Sequence, residues 1–199
     1  MAERVLTAKG AATRRRIVEG AAQLVRARGV ANVGLDDIGA ATSTSKGQLF
    51  HYFPDGRADL MCAVARYEAD QVIEEQMPYL GDLTTWRKWQ SWRRRVIARY
   101  DAQRGSCPLS TLTGQLGATE PAMKDIVAGM LDRWQSYLVE GVQALKDSGE
   151  IPPTVDPLKA ATGVLTAVTG GAGLLIATNR LSYLELGLAE ALDALRRPR

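Results

Sequence analysis

Cysteine and histidine are almost missing from this 199-residue chain, which holds Cys62, Cys107 and a single histidine, His51. Two cysteines exclude a disulfide scaffold, and a four-ligand zinc site cannot readily be assembled from them and one histidine. No metal and no other cofactor is expected. The opening segment, MAERVLTAKG, lacks the apolar run of a secretion signal, so the expected location is the cytoplasm. Alternating apolar and polar runs of strand length are missing, as are internal repeats and low-complexity tails. Catalytic signatures are missing too. No G-x-x-x-x-G-K-[ST] or H-E-x-x-H occurs, and Ser43-Thr44-Ser45-Lys46 matches S-x-x-K without the S-D-N and K-T-G partners that such a nucleophile needs. No nucleophile–base constellation remains, and no enzyme is expected.

What is present is an ordinary globular balance, 46% hydrophobic and 24% charged, with a formal net charge of only +3. The charge is unevenly spread. Residues 1–28 carry a balance of +5, residues 58–85 one of −5, and residues 86–104 one of +6. A basic head followed by an acidic stretch suggests that the head meets a polyanion.

Helical periodicity dominates, and the expected fold class is all-α. A first helix is predicted from about Ala11 to Arg28, with Ile17, Ala21, Leu24 and Val25 on one stripe and Gly29 as its stop. Two short helices follow at about Asp36–Thr42 and Ser45–Tyr52, the second ended by Pro54. Longer helices are predicted at about 58–77, 86–104, 122–147, 157–179 and 182–196. Between Lys159 and Arg180 lie twenty uncharged residues, long enough to span a bilayer. Their threonines and glycines favour a helix buried against another helix, so no membrane is expected as a partner.

The informative stretch is GLDDIGAATSTSKGQLFHYFPDGRAD, Gly34 to Asp59. Two short helices joined by a tight turn form a helix-turn-helix, which presents its second helix to a DNA major groove. Gly34 can cap the first of them with Asp37 three residues on, and Ser45 with Gln48 matches the S-x-x-Q capping box of the second. Gly47 allows the backbone to approach a phosphate closely. Lys46, Gln48, His51 and Tyr52 make a polar, aromatic face, while Leu49 and Phe53 point to the core. Arg14, Arg15 and Arg16 lie where such proteins meet the DNA backbone.

The run Thr44-Ser45-Lys46-Gly47-Gln48-Leu49-Phe50-His51-Tyr52-Phe53, preceded by Asp37-Ile38 and followed by Arg57 and Leu60, resembles the DNA-binding domain of the TetR/AcrR family of bacterial repressors. The resemblance covers about residues 11–60. Gly47 to Pro54, together with Cys107-Pro108-Leu109, also resembles the LmrA/YxaF-like branch. The resemblance implies a homodimer that releases a palindromic double-stranded operator when a small molecule fills its C-terminal domain. It makes Ser45–Tyr52 the recognition helix, sets Lys46, Gln48, His51 and Tyr52 against DNA, and puts Arg57 where a lysine commonly touches a phosphate. Three departures stand out: Ser43 replaces the turn glycine, Thr44 replaces an apolar turn residue, and one extra residue separates Phe53 from Arg57.

Residues 1–57 are therefore expected to bind DNA, and 58–199 to bind a ligand and dimerise. Trp86, Trp89, Arg93, Tyr100, Met130 and Trp134 recur at helical spacing and could enclose a pocket of about 300–1,000 Å³ for an apolar or aromatic ligand. The alternative for each is plain core. Arg87, Lys88, Arg94, Arg95 and Arg99 offer a rival second nucleic-acid surface, though the stripe sets most of them on the outer face. Val164, Val168 and Leu175, with Leu184, Leu188, Leu192 and Leu195, are expected at a four-helix dimer interface, with Gly163, Gly170, Gly171 and Gly173 permitting close approach. The helix at 58–77 is the shortest route along the chain from pocket to recognition helix. A regulator without a ligand, or an enzyme using the Trp-rich cavity, are the competing readings.

Overall fold

The structure, a computed structural model, describes residues 6–104, 107–116 and 121–197. They are helices joined by turns, with no strand among the described residues. The chain packs as two units. The residues up to Ala69 with Thr111–Val127 form one, and Asp70–Ser110 with the residues from Ala128 onward form the other.

In the first unit α1 spans Ala8–Arg28, starting three residues before Ala11 because Thr7 caps it: its hydroxyl accepts the Gly10 N–H at 3.2 Å. Ile17, Ala21 and Val25 are fully buried, as their spacing predicts, and Gly29 ends the helix at φ 83°. Helices α2 (Leu35–Ala41) and α3 (Lys46–Tyr52) follow, then α4 (Arg57–Glu74), which stops three residues short of the predicted 77 in the turns before Pro78. α1 packs on α2, and α2 on α3. The turn from α2 to α3 is tight enough that a Cβ on Gly39 would stand 2.9 Å from the carbonyl oxygen of Thr44. α1 is also tied to α4 through Arg26, whose Nε donates to the fully buried Glu68 at 2.8 Å.

In the second unit α5 spans Trp86–Gln103, capped by the Thr85 hydroxyl. A short α6 (Pro108–Ser110) ends this stretch of the second unit; the π-helical turn that follows, Thr111–Leu116, and the first residues of α7 (Pro121–Asp147) belong to the first unit, and α7 belongs to the second from Ala128 onward. α8 (Pro157–Thr178) opens with Asp156, whose carboxylate accepts the Lys159 N–H at 3.0 Å, and closes on Asn179 at φ 56°. α9 spans Ser182–Arg196 and packs along α8.

That pairing corrects one expectation. Val164, Val168, Leu175, Leu184, Leu188, Leu192 and Leu195 are all buried within the protomer, where α8 meets α9. A Cβ on Gly171 would lie 2.7 Å from the Leu184 Cα, so the glycine expected between subunits serves the contact between two helices of one chain. Gly163, Gly170 and Gly173 face open space, and the exposed large apolar residues of α8 and α9 are Leu158, Leu174, Ile176, Tyr183 and Leu186. Among the described residues α8 is the one helix long and apolar enough to cross a membrane, and one stripe of it is buried, where it packs along α9.

Candidate nucleic-acid interface

Helix α3 is short because its ends are fixed locally. Ser45 accepts the Gln48 N–H on its hydroxyl at 3.3 Å, while the Gln48 side-chain oxygen accepts the Ser45 N–H at 3.2 Å. The predicted capping box is complete. At the preceding helix, Asp37 accepts the Gly34 N–H at 2.9 Å. Of the seven residues of α3 only Leu49 is buried. Lys46, Gly47, Gln48, Phe50 and His51 are exposed and Tyr52 is half-buried, its ring meeting His51 edge-on at 4.9 Å. A Cβ on Gly47 would meet nothing within 4 Å. One exposed face therefore carries a cation, an amide, an imidazole and an open backbone.

The other predicted contact residues are distributed differently. Thr44 is buried: its hydroxyl donates to the Thr42 carbonyl at 3.1 Å and accepts from the Thr42 hydroxyl at 2.9 Å. It closes the turn and its side chain does not reach the surface. Ser43, in the place of the usual turn glycine, sits at φ 49°. Arg57 donates to the carbonyls of Val30 and Val33, so it secures the turn after α1 while its side chain stays exposed. Arg14 lies over the Phe53 ring at 5.3 Å, Arg15 is 3.8 Å from Glu19, and Arg16 is exposed. These arginines are cationic and accessible, but only Arg14 is drawn to the base of α3.

In the second unit the predicted ligand residues are mostly core. Trp89 and Trp134 are fully buried, Met130 and Tyr100 nearly so, and Arg93 is half-buried. Trp86 is half-buried beneath Arg196, whose guanidinium lies 4.9 Å from its ring. Burial holds the Tyr100 phenol well above its usual range, with Cys107 the next cause. Sequence reasoning missed the role of Trp92, which packs edge-on against Trp89 and donates its N–H to the buried Gln76 at 2.9 Å. The cavity beside Tyr100, Arg99 and Cys107 measures about 20 Å³, room for one water. A cavity of ligand size, about 360 Å³, lies elsewhere, bounded by Asp156, Lys159, Ala160, Ala191 and Arg197. Of the cations offered as a second nucleic-acid surface, Lys88 pairs with Asp82 and Arg99 with Glu75, while Arg87, Arg94 and Arg95 are exposed.

Comparison with known proteins assigns both parts of the chain. Residues 17–64 match the tetR family of bacterial regulatory proteins, and residues 86–186 match the tetracyclin repressor-like C-terminal domain. An HTH-type transcriptional regulator of Mycobacterium tuberculosis is 26% identical over 139 residues, 65% of this chain and 71% of that protein. A TetR-family transcriptional regulator from Cytophaga hutchinsonii superposes with a TM-score of 0.80 at 20% identity, over 98% of this chain and 100% of that one. A TetR transcriptional regulator from Chloroflexus aurantiacus does so with 0.79 at 25% identity, over 94% and 96%. These matches carry the family, not the LmrA/YxaF-like branch.

Proposed function

The chain belongs to the TetR family of bacterial DNA-binding transcriptional regulators, and from that premise we propose that it is a repressor released from a palindromic operator by a small molecule. The observation that carries the DNA side is the exposed face of α3, where Lys46, Gly47, Gln48 and His51 are accessible around a single buried residue, Leu49. Arg14, Arg15, Arg16, Lys46 and Arg57 act on phosphates, and Gln48 and His51 read bases. Residues 1–57 do this work in the cytoplasm, and 58–199 bind the ligand and a second copy of the chain. The copy docks on the outer face of α8 and α9, where Leu174, Ile176, Tyr183 and Leu186 are exposed.

Duplex selection followed by fluorescence anisotropy tests the reading. Replacing Lys46 or Arg16 by alanine is expected to weaken all duplexes alike and to lower the salt slope of binding by about one unit. Replacing His51 is expected to cost roughly 1–3 kcal/mol on the selected site only. Selection that returns no preferred sequence overturns the assignment. A regulator without a ligand is the second reading, favoured by the complete burial of Trp89, Trp92 and Trp134. Under the first reading operator DNA weakens ligand binding by the same factor that ligand weakens operator binding, about 5–150-fold; under the second there is no such factor.

A further inference from the structure

Three N–H groups in the second unit are buried and have no acceptor: Nε1 of Trp89, Nε of Arg93 and Nε1 of Trp134. Both tryptophans have no exposed surface. Native chains rarely leave buried donors unmatched, since each costs desolvation without return. We infer that the ligand of this unit is an apolar carboxylate whose oxygens are received by these three groups. The inference deepens the ligand-controlled reading above and rests on it.

The three donors lie on facing elements. Trp89 and Arg93 are four residues apart on α5 and so share a helical face. Trp89 reaches α7: its Cζ2 stands 2.9 Å from where a Cβ on Gly141 would be. Cζ2 is two bonds from Nε1, so the indole nitrogen lies close to that contact with α7. Trp134 lies seven residues before Gly141, which returns it to nearly the same face of α7.

The chemistry of the ligand follows from what is missing. All three groups donate, so the ligand must accept. Trp92 shows what the chain does where it supplies its own acceptor, because the Gln76 oxygen takes that N–H. Arg93 adds charge: among the described residues it has no carboxylate within ion-pair distance, whereas Arg99, Arg104 and Arg133 pair with Glu75, Asp101 and Asp70. Arg99 also has a buried, unmatched Nε, but its guanidinium already holds a counter-charge. One cation balances one negative charge, which favours a carboxylate over a dianionic phosphate. The indole faces then suit an aryl or alkyl body.

The test is calorimetry and tryptophan fluorescence on the full chain with benzoate, cinnamate and 4-phenylbutyrate, each against its primary amide. At least one acid is expected to bind, and its amide about tenfold or more weaker. Arg93→Gln is expected to lower acid affinity about tenfold and leave the amide unchanged, so that the preference disappears; Arg93→Lys keeps part of it. Trp134→Phe keeps the ring, loses the N–H and should weaken the acid several-fold. Arg93→Gln, a change at a half-buried side chain, carries the test if Trp134→Phe fails to fold. Equal binding of acid and amide, unchanged acid binding in Arg93→Gln, or no binding of any of the three acids overturns the inference. Operator affinity is measured on the same samples. A chain that binds its operator but no acid refutes the carboxylate alone; one that binds an acid with this pattern but holds its operator equally tightly refutes ligand control and keeps the site.

Discussion

Gln48 holds two positions with one amide. Its oxygen accepts the Ser45 N–H and closes the capping box, leaving the NH2 group outward. Bidentate pairing to adenine needs both amide atoms, so a capped Gln48 offers donors only and favours the acceptor edge of guanine or the O4 of thymine. Gln48→Glu keeps the capping oxygen and exchanges donor for acceptor. Duplex selection with that variant should shift one operator position towards cytosine, with no loss of α3; an unchanged preference there would show that Gln48 only caps. Ser43 makes a second prediction. A non-glycine residue at φ 49° is strained by about 1–2 kcal/mol, and glycine's extra unfolded-state freedom returns roughly 0.5–1 of that. Ser43→Gly should therefore raise the melting temperature slightly, by up to about 1 kcal/mol of stability, and leave operator affinity intact. At this scale the capping box and the exposed face of α3 were legible because both depend on spacing within one helix. The two carbonyls held by Arg57 were not, because they are brought in from another segment, and the burial of Thr44 was not, because it depends on how the turn through Ser43 folds back on Thr42.

Helices paired within the chain carry most of the structural surprise. A stripe of Val164, Val168 and Leu175 requires an apolar partner, but periodicity is silent on whether that partner is α9 or a second copy. Gly171 decides it: the space a side chain would need is filled by the Leu184 backbone. Gly171→Ala should lose stability by about 1–3 kcal/mol despite alanine's better helix propensity, because a backbone atom cannot swing aside. Gly129→Ala on α7, where nothing lies within 4 Å, should gain up to about 1 kcal/mol. Thermal melts of the pair check both signs. The tie between α1 and α4 gives a larger effect. Glu68 has no exposed surface and Arg26 little, so Glu68→Gln strips the buried pair of one charge and should cost on the order of 3 kcal/mol. Nothing in the spacing of residues 26 and 68 announces that contact.

For the molecule as a whole, the charge distribution, the all-α class and the position of the helix-turn-helix were readable from the chain, because each is a property of a long segment. The mode of association was not, since it depends on which apolar residues remain after the chain has packed on itself. On α8 and α9 these are Leu158, Leu174, Ile176, Tyr183 and Leu186, the last 67% exposed. A two-fold dimer through that face would set two recognition helices about 34–36 Å apart, or at a multiple, and so require a palindrome. Leu186→Glu places a charge where only a second copy would bury it. Sedimentation at micromolar concentration should then show a folded monomer with a nearly unchanged melt. Its binding to the full palindrome should fall steeply, while weak binding to an isolated half-site persists. Leu188→Glu provides the contrast, because Leu188 is fully buried in the protomer and its replacement should unfold the chain instead. A Leu186→Glu protein that remains dimeric would place the interface elsewhere, and a monomer that still held the palindrome as tightly as the parent would remove the need for one.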